Sequence, residues 1–123
     1  MKQTAFLMKL LVFLLIISSS SVFAAAKTEV KELVCEYQVD PMGIDVQKPR
    51  LSWQIVSAEE NLLQTAYEIK VTDQSPKGKM IWTSGKVNSD NSVNIAYDGS
   101  ALKSMQRVYW QVRVWNNKGK VTA

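Results

Sequence analysis

Residues 108–115 alternate without a break: Val108, Trp110, Val112 and Val114 point to one side of an extended chain, and Tyr109, Gln111, Arg113 and Trp115 to the other. A segment of this kind cannot hide its apolar side by itself and needs a second layer of structure over it. Asn116-Asn117-Lys118-Gly119 follows as a hairpin loop, and a return strand opens at Lys120. Only Val121, Thr122 and Ala123 come after it, too few to pair along the whole preceding strand, so the last strand is expected to be incomplete and the chain cut short.

The same period of two recurs upstream. Leu33, Cys35 and Tyr37 alternate with Val34, Glu36 and Gln38, and Asp40-Pro41-Met42-Gly43 then has the residues of a type I turn. Pro49 opens the next strand, with Leu51, Trp53 and Ile55 facing inward and Trp53 as the anchor of the core. After a polar link over 57–61, Tyr67, Ile69 and Val71 share one face against Ala66, Glu68 and Lys70. Ser75-Pro76-Lys77-Gly78 is a turn, 80–83 a short strand, Gly85 a bend, and 92–97 a further strand ending at Asp98-Gly99. No helical period runs far. The pattern predicts an all-β fold, an antiparallel β-sandwich of about seven strands, with Cys35 as a small buried apolar residue.

The first 24 residues belong to a different class. Lys2 and Lys9 precede an apolar run over 10–17, four serines and Val22-Phe23-Ala24-Ala25-Ala26, the three-part layout of a secretory signal peptide. Eight apolar residues are too few to span a bilayer core, which needs roughly 20. Cleavage after Ala24 is expected, with Ala25 or Ala26 also suitable, which divides the chain into a signal peptide, 1–24, and a sandwich domain, 25–123. The mature chain is then exported to the periplasm or the medium, with no membrane association.

Charge and composition narrow the chemistry further. The whole chain has 15 Lys plus Arg against 11 Asp plus Glu, a formal charge of +4; without Lys2 and Lys9 the 13 remaining bases leave +2. No basic cluster points to nucleic acid. With no histidine and one cysteine, a His-based triad, a Cys/His zinc site and an internal disulfide are excluded. No cofactor and no metal are expected. Glycoside hydrolysis by inversion needs two carboxyl groups roughly 6.5–9.5 Å apart across a pocket. Glu59-Glu60, Asp40, Asp45, Asp73, Asp90 and Asp98 instead fall in links, turns and strand ends, where they cap or are solvated. No catalytic residue is assigned.

Several motifs together carry a family resemblance: Glu36-Tyr37, Asp40-Pro41-Met42-Gly43-Ile44-Asp45, Pro49-Arg50-Leu51-Ser52-Trp53-Gln54, Gln64-Thr65-Ala66-Tyr67-Glu68-Ile69, Trp82-Thr83-Ser84-Gly85-Lys86-Val87 and Tyr109-Trp110-Gln111-Val112-Arg113-Val114-Trp115. In these the chain resembles the N-terminal module of bacterial α-L-rhamnosidases, large glycoside hydrolases that remove terminal rhamnose from plant glycosides and polysaccharides. The resemblance implies a fibronectin type III or immunoglobulin-like sandwich with a structural, accessory role. It also implies an α/α barrel farther along the polypeptide, with an acid and a carboxylate acting by inversion, and none of that barrel is in this chain. The implied partners are later domains of the same polypeptide and rhamnose-containing glycans. Val108 stands where such modules usually place a corner tyrosine and Met105 where glycine is frequent, so a less rigid corner is expected.

The candidate functional surface is the outward face of the last full strand: Tyr109, Gln111, Arg113 and Trp115. Aromatic rings beside hydrogen-bonding groups suit a sugar. The same residues suit packing against another domain, or local pairing of Glu68 with Arg113 under the rings. The sequence leaves these uses open, together with the competing class, a stand-alone secreted module that binds carbohydrate or protein.

Overall fold

The computed structural model describes residues 26–123, so the signal peptide predicted over 1–24 lies outside the described residues. Seven strands are present: β1 (Thr28–Cys35), β2 (Arg50–Ser57), β3 (Gln64–Asp73), β4 (Met80–Thr83), β5 (Ile95–Ala96), β6 (Val108–Asn116) and β7 (Val121–Thr122). They form two antiparallel sheets, β1-β2-β5 and β4-β3-β6-β7, and no helix occurs among the described residues. The chain passes between sheets after β2, β4 and β5, so neither layer is built from one run of sequence. This is the immunoglobulin-like sandwich that the alternation predicts.

The inward residues meet as expected. Leu51 and Trp53 of β2, Tyr67, Ile69 and Val71 of β3, and Val112 and Val114 of β6 are buried in one cluster with Cys35 and Tyr97. Trp53 is 1% exposed and meets Tyr67 edge to face, with ring centroids 5.2 Å apart. Its indole N–H, which would be costly to bury bare, donates to Gln64 Oε1 at 2.9 Å. The Gln64 amide in turn donates to the carbonyls of Ser89 and Asn91, tying the link between β4 and β5 to the core.

Three local features differ from the sequence expectation. Tyr37 is 64% exposed and does not continue the buried face of β1. Glu36 and Tyr37 both have positive φ, 48° and 66°, and Cys35 and Gln38 exchange backbone hydrogen bonds of 2.9 and 3.0 Å across them. That tight turn ends the strand at Cys35. Glu36 secures it by accepting from the backbone N–H of Arg50 at 2.6 Å and from its guanidinium at 2.8 Å, while the guanidinium lies over the Tyr37 ring. Within β1 a bulge at Glu32, φ 51°, shifts the register against β2.

The strand expected over 92–97 shrinks to Ile95–Ala96, because Asn94 has φ 55° and the segment before it is held by Ser52 and Trp53 through irregular bonds. The corner before β6 is braced by another tyrosine. Tyr97, at the end of β5, donates its hydroxyl to the Ser100 carbonyl at 2.9 Å and packs its ring edge to face on Trp82. A Cβ at position 99 would lie 2.3 Å from that hydroxyl, so Gly99 is required there. Met105 does adopt the left-handed conformation that glycine usually supplies, φ 61°.

Candidate binding surface

Register determines which outward residues are neighbours. Across β3 and β6, Ala66 faces Trp115, Glu68 faces Arg113, Lys70 faces Gln111 and Thr72 faces Tyr109. The Glu68 carboxylate lies 3.6 Å from Arg113 and 4.0 Å from Lys70, an acid between two bases. Such cross-strand pairs stabilise a sheet modestly, by about 0.2–1 kcal/mol each. Around Gln111 and Arg113 is an open depression of about 310 Å³, also lined by Glu68, Lys70, Val30 and Leu33.

The four candidate residues do not converge on one ligand. Tyr109 and Trp115 are six residues apart on an extended strand, about 20 Å, several times the width of a sugar ring. The Trp115 ring also has its own company: Lys86 Nζ lies 4.7 Å from its centroid and the Arg113 guanidinium 5.8 Å. These cations compete for the π-face that a sugar would stack on. Tyr109 stands at the opposite end of β6, beside the loops that enter it. The structure therefore brings Gln111 and Arg113 together with Glu68 and Lys70, puts Trp115 under Lys86, and leaves Tyr109 apart. Lys86 stands in the sequence only as part of the Trp82–Val87 motif, with no contact assigned to it; past Gly85, φ 61°, the chain runs on beside β3, where Val87 and Tyr67 exchange backbone hydrogen bonds, and this brings Lys86 to Trp115.

The displaced carboxyl groups all move the same way. Glu36 lies below its ordinary pKa because it accepts hydrogen bonds from Arg50. Glu59 is lowered by its hydrogen bond to Lys120, and Glu29, beside Lys27 and Lys31, falls to about 2. A general acid for glycoside hydrolysis needs the opposite displacement. No group of His, Cys, Asp and Glu suited to a metal ion occurs among the described residues.

Fold and surface together define an immunoglobulin-like β-sandwich module whose outer face is built of paired charges. The family described as "Rha78A-like, N-terminal immunoglobulin domain" matches residues 30–123, and the chain belongs to that family. Among curated proteins, the α-L-rhamnosidase of Streptomyces avermitilis is 42% identical over 86 residues, 68% of this chain and 8% of that protein. An α-L-rhamnosidase of Formosa agariphila is 38% identical over 86 residues, 68% of this chain and 9% of that protein. The crystal structure of the Streptomyces avermitilis enzyme complexed with L-rhamnose superposes with a TM-score of 0.74 at 39% identity, covering 79% of this chain and 10% of that one. The chain thus spans about a tenth of the length of the relatives that it matches.

Proposed function

We propose that this chain is the leading, non-catalytic accessory module of an exported α-L-rhamnosidase-like glycoside hydrolase acting on terminal α-L-rhamnose of plant glycosides or polysaccharides. Its work is support: it packs on later domains of the same polypeptide and helps to orient them. One observation carries the reading, namely 42% identity to an α-L-rhamnosidase confined to 8% of that protein's length, in a domain that the family description places at the N-terminus. The downward displacement of Glu29, Glu36 and Glu59 supports a non-catalytic module, since none is poised as an acid. Export to the periplasm or medium rests on the composition of residues 1–24.

The test is the size of the native product. An antibody against residues after Ala26, applied to the exported fraction of the producing cell, is expected to detect a polypeptide several times larger than this chain. That product is expected to release rhamnose from an aryl rhamnoside. A product the size of residues 25–123 would overturn the reading in favour of a free-standing binding module.

A further inference from the structure

The connection between β1 and β2, residues 36–49, contains Asp, Pro and Gly in a turn, yet exposes an unusual amount of apolar surface. Tyr37, Val39, Met42, Ile44 and Val46 are all exposed, five large apolar side chains within ten residues, and Met42 is 93% exposed. Beside this connection runs the one that leads into β6, residues 97–107, where Met105 is fully exposed. The two are joined: the Leu102 N–H donates to the Gln47 carbonyl at 3.2 Å, and Lys48 meets Asp98 at 3.1 Å. Half of the twelve exposed large apolar side chains among the described residues therefore sit in two loops at one end of the sandwich. Scattered apolar residues are ordinary on a surface, whereas a concentration of them in two joined loops points to an interaction site.

We infer that this apolar cap, residues 37–46 with Met105, is the docking surface for the domain that follows the module in the same polypeptide. The inference rests on the accessory reading above and specifies which surface does the packing. Three observations select the occupant. The family description places the domain at the N-terminus, and this chain matches only 8–9% of two relatives, so in such proteins most of the chain lies downstream. β7 runs antiparallel to β6, and β6 starts at the cap, so a chain carried on along β7 travels toward that same end. Finally, Asp40 and Asp45 within the cap and Lys103 and Arg107 beside Met105 form no ion pair among the described residues, so the complementary surface is apolar with charges of both signs at its rim. The outer face of β3 and β6, by contrast, already pairs its own charges.

Hydrogen exchange provides the test. Backbone amides of 37–46 are measured in the exported polypeptide purified from its producing cell and in this chain alone. Exchange at least tenfold slower in the long polypeptide is expected, with the protection lost when Met42→Asp and Ile44→Asp are introduced together. Equal exchange in the two would overturn the inference and leave the accessory reading standing. Protection that rises with the concentration of this chain alone, with a doubling of its mass, would make a second copy the occupant and overturn it also. An exported polypeptide no larger than the module would overturn the accessory reading, and the inference with it.

Discussion

At the end of the sandwich where β2 leads to β3 and β6 to β7, polar side chains close the structure on itself, whereas the end capped by residues 37–46 is left apolar and open. At the closed end Gln64 binds the Trp53 indole and two loop carbonyls. Asn117 accepts from the Leu63 N–H and donates to the Asn61 carbonyl, Asn116 Oδ1 accepts from the N–H groups of Lys118 and Lys120, and Lys120 reaches Glu59 at 3.0 Å. A surface most of whose polar groups are satisfied internally, with Glu59 Oε2 the buried exception 3.5 Å from Lys118, gains little from a partner, while exposed apolar side chains gain wherever they are covered. The two ends of one small domain thus differ: at one, polar side chains tie the loops together around a single exposed leucine, Leu63, and at the other six large apolar side chains are left uncovered.

The contrast is sharpest in substitutions. Trp53→Ala removes the core anchor and should cost about 3–5 kcal/mol, read by chemical denaturation of this chain. Gln64→Met preserves volume but strips hydrogen bonds from the indole and two carbonyls at the closed end, for a loss of about 1–3 kcal/mol. A cost below about 0.5 kcal/mol would show that the closed end does not depend on that network. Acid should loosen both ends. Glu36 beneath the cap, Glu59 at the closed end and Glu29 on β1 all have folded pKa values below their unfolded ones, so their contribution is present above about pH 4.5. It is lost as pH falls through the folded values, to about 2 for Glu29, and the thermal midpoint should decline over that range. The smallest effect is expected at the cap: Met42→Asp should change the stability of this chain by no more than about 0.5 kcal/mol. A cost as large as that of Gln64→Met would mean that Met42 belongs to the core, and the contrast between the ends would collapse.

What could be read in the sequence follows from how each element is determined. β2, β3 and β6 are long, half-buried strands, so their apolar period sets most of their side chains, and Trp53, Ile69 and Val112 fall where alternation puts them, whereas Ala66, on the outward face opposite Trp115, is buried all the same. Tyr37 does not, because Glu36 and Tyr37 take positive φ without glycine, a conformation secured by Arg50, fourteen residues away. No local pattern encodes that. The shortened β5 has the same origin, with Ser52 accepting from the Asn94 N–H and displacing a regular ladder. Of the candidate surface, the shared face of Tyr109, Gln111, Arg113 and Trp115 was legible, as was the pairing of Arg113 with Glu68. Lys86 over Trp115 was not, because it depends on the path of an irregular link, and the cap read merely as a turn because its backbone residues disguised its apolar side chains.

Cys35, the last residue of β1, is 8% exposed, and burial pushes its thiol up to about 11. At neutral pH only about one molecule in ten thousand then holds a thiolate, the species that attacks disulfides and alkylating reagents. Modification is favoured when this end of β1 opens, so the rate at which a thiol reagent labels the folded chain follows the population of the opened form. The lone sulfur is a native clock for the edge of the smaller sheet, one that needs no engineered probe.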